Sequence, residues 1–268
     1  RARGVTQEIG QWGLADRPFL LESLRILEEQ ASQGQPLFAH LLTITTHHPH
    51  SVIPEGPIPA AVKSESETAH QRYLSRLRYA DEAIGDFFDS FFESPLARNS
   101  VVVLLGDHGT TTRPDESVTK LQFLEMRFRI PFAVISKNIR TPAVVRHPVH
   151  QVDVAPTVAR IAGVGGETSW IGSGLFSGNG RPWIYDYGDT LHYRTGDRAC
   201  YSLKEGLKCF DVTEQDPLYD ARLKEVGEHP EDTAFFRKVL RANQQVLSLN
   251  RLLPKNNRVR SQPVTRER

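Results

Sequence analysis

Ser100-Val-Val-Val-Leu-Leu-Gly-Asp-His-Gly109 is the stretch whose reading decides the fold. Five apolar residues in a row, Val101 to Leu105, leave a strand no polar face. Such a strand suits the interior of a parallel sheet covered by helices on both sides. The run stops abruptly at Gly106. Side chains alternate along a strand, so the neighbours Asp107 and His108 would point apart if the strand continued. The flanking glycines permit a turn there, together with close approach of a ligand. A carboxylate and an imidazole turned toward one point offer oxygen and nitrogen ligands, a set that suits Zn2+ or Mn2+. The plain alternative is a capping Asp beside a hydrogen-bonded His.

Working outward, Pro131-Phe-Ala-Val-Ile-Ser136 reads as a second buried strand, and Pro36 to Ile44, a short apolar run rich in strand formers, as a third strand. Between them, Glu67 to Glu93 predicts a long helix. Tyr73, Leu74, Leu77, Ala80, Ile84, Phe87, Phe88 and Phe91 form its apolar stripe. Asp16 to Ala31 has the same periodicity. Asp153 can cap a helix with Pro156 in its first turn, running to Ala162 and stopped by Gly163. The third strand ends in Thr45-Thr-His-His-Pro-His50. In a parallel sheet all strand C-termini share one edge, where α/β proteins bind ligands. This cluster and Asp107-His108 are therefore expected to converge. Pro49 keeps His48 out of helical geometry, so the three rings point in different directions. His47 is expected to face the site and bind an anionic substrate oxygen or a leaving group. His48 and His50 are read as structural.

Beyond Gly165 the texture changes to glycines, aromatics and short alternating runs. Small antiparallel strands are expected at Trp183 to Tyr187, Ala199 to Leu203 and Leu207 to Val212, with a last helix from Glu231 to Leu249. Cys200 and Cys209 flank Leu203-Lys-Glu-Gly206, a hairpin turn that sets them opposite each other. They are either a disulfide or two half-buried thiols. From Arg251 the chain is basic and Pro/Asn-rich, and reads as a solvated, flexible tail. The expected architecture is α/β: a mostly parallel central sheet flanked by helices, then a small antiparallel C-terminal subdomain. The expected division is residues 1–165, 166–250 and 251–268.

The bulk properties exclude several classes. The chain has 268 residues with a net charge of +1, which argues against broad electrostatic attraction to nucleic acid. No apolar run approaches the roughly 18 residues that span a bilayer. The one methionine is Met126 and the chain begins Arg-Ala-Arg-Gly, so it reads as a piece of something longer.

The order of Gln11-Trp-Gly-Leu-Ala-Asp16, Thr43-Ile-Thr-Thr-His-His-Pro49, Leu77-Arg-Tyr-Ala-Asp-Glu-Ala-Ile-Gly85, Val102-Val-Leu-Leu-Gly-Asp-His-Gly109, Arg129-Ile-Pro-Phe132 and Gln151-Val-Asp-Val-Ala-Pro-Thr157 resembles the sulfatase-like branch of the alkaline phosphatase superfamily. Within it, the chain looks most like the lipoteichoic acid synthase and phosphoglycerol transferase enzymes of the bacterial envelope. The resemblance runs from Gln11 to Ala162. It implies a threonine nucleophile and one divalent ion, Mn2+ before Zn2+, Mg2+ or Ca2+, with Asp107 and His108 as two of the ligands. It implies that His47 contacts the substrate's glycerophosphate. It also implies a phospholipid headgroup donor, a glycan or lipid acceptor, and upstream membrane spans in the bacterial inner membrane. The catalytic domain would then lie in the periplasm or outside the cell. Sulfatases and phosphodiesterases of the same fold, and inactive lipid-binding or regulatory domains, are the other functions the resemblance admits. In the family the nucleophile and the first acidic ligand lie upstream of the Trp-Gly-Leu segment. No catalytic nucleophile is therefore expected in this chain. The missing N-terminal half of the same domain becomes its expected partner.

Overall fold

The computed structural model describes residues 8–9, 13–48, 50, 68–166, 168, 170, 172–175, 183–187, 190–203, 206–213, 216–220, 222–231, 233–235, 237–238 and 241–242. Residues 51–67 and the tail expected from Arg251 lie outside them. The chain divides into two units, Arg1–Val118 with Arg129–Pro142, and Thr119–Phe128 with Ala143–Arg268.

In the first unit a short antiparallel pair, β1 (Glu8–Ile9) and β2 (Gly13–Leu14), leads into α1 (Asp16–Ala31). α1 packs on α2 (Ala69–Glu93). The expected start of α2 at Glu67 moves to Ala69 because Thr68 builds a capping box. Thr68 Oγ1 accepts from the Gln71 amide at 3.2 Å, and Gln71 Oε1 accepts from the Thr68 amide at 2.8 Å. The core between the helices holds Ala15, Leu20, Leu24, Tyr79, Ala83, Phe87 and Phe91. Leu74 and Leu77, expected on the buried stripe, are exposed. Arg17 on α1 pairs with Asp86 on α2 at 2.8 Å.

The expected strands around Val102 and Phe132 are present as β3 (Val102–Leu105) and β4 (Phe132–Ile135). They differ from expectation in direction: they pair antiparallel, with Val102 opposite Ile135 and Leu105 opposite Phe132. An apolar run reports burial on two faces and does not encode which way its neighbour travels. The ladder is extended at one end by the Gly106 amide, which donates to the Pro131 carbonyl at 3.1 Å. At the other end Ser136 Oγ donates to the Ser100 carbonyl. The expected strand over Pro36 to Ile44 does not form. Residues 35–44 form neither helix nor strand and belong to no ladder among the described residues.

The second unit holds α3 (Lys120–Phe128), which the sequence reading missed, and α4 (Val154–Ile161). Its sheet is a five-stranded antiparallel meander: β5 (Trp183–Tyr187), β6 (Thr190–Arg194), β7 (Arg198–Leu203), β8 (Gly206–Asp211) and β9 (Glu225–Val226). Leu121 and Leu124 of α3 pack on Ala199, Tyr201 and Val212. Cys200 and Cys209 sit directly opposite each other on β7 and β8 and form a disulfide. Residues 230–231, 233–235, 237–238 and 241–242 are helical; all but residue 230 fall in the last helix expected. The fold class is thus α/β with a small antiparallel subdomain, as the sequence indicates.

Candidate functional site

β3 delivers Gly106 to the end of the two-stranded ladder, and the chain bends at Asp107 and His108. A Cβ on Gly106 would lie 3.2 Å from the Ile130 Cβ, so the absence of a side chain lets the strand end lie close against Ile130. The bend brings the two side chains to the same side. Asp107 Oδ2 stands 3.7 Å from His108 Nε2, and both side chains are more than half exposed. The other carboxylate oxygen, Oδ1, accepts from the His108 amide at 2.8 Å. His108 Nδ1 lies 2.7 Å from the Gly109 carbonyl oxygen. A carbonyl only accepts, so Nδ1 carries a proton. This is the arrangement by which a second partner fixes the tautomer of a metal-binding imidazole. A separation of 3.7 Å is bridged by one divalent ion with bonds of about 2.1 Å. The structure provides the turn that the sequence required, and the spacing of the two groups is compatible with one shared ion. It supplies two donors. Among the described residues no group of three or more His, Cys, Asp or Glu could hold a metal ion. Thr110, two residues further along, is buried and accepts from the Thr112 amide at 3.1 Å.

His47 lies on a separate turn of the same unit and is exposed. Its amide donates to the Ile44 carbonyl at 2.9 Å, closing the turn. Its Nδ1 donates to the His48 carbonyl at 2.5 Å. His50 is different. It is buried, has φ = +61°, and rests edge-on against Tyr73 with ring centroids 5.6 Å apart. Burial, helped by the nearby His48, Arg76 and Arg72, lowers its pKa below the ordinary imidazole value.

One motif residue was given no role by the sequence reading. Asp16, the last residue of Trp-Gly-Leu-Ala-Asp, is completely buried. Its Oδ1 accepts from the amides of Ile44 at 2.8 Å and Thr45 at 3.0 Å. Its own amide donates to Thr45 Oγ1 at 3.1 Å. The available signal was an acid at the first position of a helix, and that reads equally well as a dipole complement.

Asp153 behaves differently from expectation. It occupies the N-cap position of α4 but makes no side-chain cap to that helix. Its carboxylate instead accepts from the amides of His150 at 3.0 Å and Ser173 at 2.9 Å. Thr157 Oγ1 accepts from the Leu175 amide at 2.8 Å. The Gln151 to Thr157 motif therefore holds together segments of the second unit.

Comparison with known proteins places these features. The Sulfatase family model matches residues 3–164. Lipoteichoic acid synthase 1 of Bacillus subtilis is 30% identical over 197 residues, covering 69% of this chain and 28% of that protein. The lipoteichoic acid synthase-like YvgJ of the same organism is 30% identical over 213 residues, covering 73% and 33% respectively. The chain thus spans about a third of the length of these relatives. Among solved structures, an alkaline phosphatase superfamily protein from Vibrio parahaemolyticus superposes with a TM-score of 0.73 at 21% identity, covering 94% of this chain and 59% of that one. The lipoteichoic acid synthase LtaP from Listeria monocytogenes gives 0.68 at 21% identity, covering 91% and 61%. The chain belongs to the Sulfatase family, has the alkaline phosphatase superfamily fold, and counts lipoteichoic acid synthases among its relatives.

Proposed function

We propose that the complete protein is a metal-dependent phosphoryl-type transferase of the bacterial cell envelope. It moves phosphoglycerol or phosphoethanolamine from a phospholipid to a glycan or lipid acceptor. The observation that carries this reading is the Asp107–His108 pair, with Oδ2 and Nε2 on one side of a glycine-flanked bend and the imidazole tautomer fixed from behind. The lipoteichoic acid synthases among the relatives support the choice of reaction.

In this reading Asp107 and His108 supply two ligands to one divalent ion, Mn2+ first among the candidates. Such an ion would neutralise charge on the phosphate oxygens and lower the pKa of the attacking hydroxyl. His47 offers Nε2 to the substrate phosphate. As imidazolium it donates to a phosphate or leaving-group oxygen; as neutral imidazole it accepts from a hydroxyl. The threonine nucleophile and the first acidic ligand come from a segment outside this chain, the upstream half of the same domain. The Cys200–Cys209 disulfide suits an oxidising compartment, which agrees with a catalytic domain outside the cytoplasm and an anchor in the inner membrane. No described helix is long and apolar enough to cross a membrane, so such an anchor would lie elsewhere.

The test uses the complete protein with headgroup-labelled phosphatidylglycerol and Mn2+. Label should appear on an acceptor, and EDTA should abolish transfer. Asp107→Ala or His108→Ala should remove activity with little change in far-UV circular dichroism. Turnover that survives EDTA or either substitution would overturn the reading. Label released only to water would identify a hydrolase of the same fold, the sulfatase or phosphodiesterase alternative.

A further inference from the structure

We infer that Asp16 is a positioning residue for His47. The inference rests on the transferase reading above. It starts from a cost: a carboxylate with no exposed surface has surrendered its hydration and needs compensation from fixed donors. The compensation comes from one place. Both amides that meet Oδ1 belong to Ile44 and Thr45. The Ile44 carbonyl accepts from the His47 amide to close the turn that carries His47. The Thr45 hydroxyl returns a contact by accepting from the Asp16 amide. Two segments about 30 residues apart are thus joined by three hydrogen bonds around one charge, at the point where the His47 turn begins. Asp16 is also the first residue of α1, where the helix dipole favours negative charge.

This arrangement matters because residues 35–44 lead into the turn without any strand ladder among the described residues. Among the described residues the approach to His47 is held by the Asp16 clamp, with no ladder beside it. Loss of the clamp leaves the imidazole intact while its Nε2 direction is no longer defined. Misplacement of a substrate-contacting group by about 1 Å costs on the order of 10²-fold in rate.

The experiment compares the complete enzyme with Asp16→Ala, Asp16→Asn, His47→Ala and Asp16→Ala/His47→Ala. Asp16→Ala should lower kcat/KM by about 10²-fold. Asp16→Asn keeps the Oδ1 acceptor and should recover most of that loss. In the His47→Ala background, Asp16→Ala should cost almost nothing more, since the two residues act through one contact. Losses that multiply independently would overturn the inference, as would a wild-type-like Asp16→Ala. Hydrogen exchange supplies a measurement that needs no turnover. The amides of residues 44–48 should exchange faster in Asp16→Ala while the α2 amides do not. Unchanged exchange at 44–48 would overturn the clamp itself. An inactive wild-type enzyme with accelerated exchange in Asp16→Ala would sink the transferase reading and leave the clamp standing.

Discussion

His50 is held in the left-handed region at φ = +61°, buried against Tyr73, with its pKa lowered chiefly by burial. His150, in the second unit, is also lowered by burial, against an opposing pull from Asp153. Its neutrality has a visible purpose: Nδ1 accepts from the Val152 amide at 3.2 Å, which a protonated Nδ1 cannot do. Both imidazoles are neutral in the fold, whereas an unfolded chain protonates them near the ordinary value of about 6.5. Their contribution to stability is therefore complete above that value. It is lost as pH falls from there toward the depressed folded pKa values, where the loss levels off. Urea midpoints should fall between pH 7.5 and 5. The variant His50→Asn/His150→Asn should show a shallower fall. Asn tolerates positive φ at 50 and keeps an acceptor at 150. An unchanged slope would show that other groups carry the pH dependence. At this scale the sequence was informative where chemistry was concentrated. The Asp107-His108 bend followed from two glycines after an apolar run. The burial of His50 did not, because three adjacent histidines carry no signal that separates an exposed ring from one turned inward by a positive φ.

Elements were legible in proportion to their local signals. α1 and α2 follow from apolar periodicity, and the Thr68–Gln71 capping box explains where α2 starts. Thr68→Ala should cost about 1 kcal/mol of stability, measured by urea unfolding. Leu24→Ala, which empties a site between the helices, should cost about 2–5 kcal/mol. α3 went unread because Lys120 to Phe128 is short and its buried residues include a charge. Glu125 is buried beside His192 and Arg194 of β6, at 3.3 and 3.4 Å. That partnership is tertiary and no nine-residue window contains it. The cysteine pair shows the opposite case. The hairpin placed Cys200 and Cys209 opposite each other, and the structure joins them. Cross-linking a loop of nine residues' separation restricts the unfolded chain by about 2–3 kcal/mol. Reduction, or Cys200→Ser/Cys209→Ser, should lower stability by that amount without altering the Asp107–His108 bend, which lies in the other unit. Loss of metal affinity in the reduced complete protein would contradict this independence.

At the scale of the whole molecule, each unit has its own core, and the first unit has apolar residues left over. Leu37, Phe38 and Leu42 lie on segment 35–44, with Phe38 86% exposed; Leu74 and Leu77 of α2 are exposed as well. The segment reads as a strand in sequence because of its apolar content, yet it joins no ladder among the described residues. A strand needs a neighbour to satisfy its amides and to cover its side chains. The mismatch between reading and structure therefore has a physical reason: the sequence records a burial for which the described residues supply no partner. If the upstream half of the domain provides it, the complete protein should protect the amides of residues 36–44 from exchange far more than this chain does alone. Phe38→Ser should then destabilise the complete protein by about 3–5 kcal/mol, as for a buried aromatic truncated in a core. In the isolated chain, where Phe38 already faces water, the same change should stay within about 0.5 kcal/mol. Equal effects in both contexts would show that the segment remains uncovered.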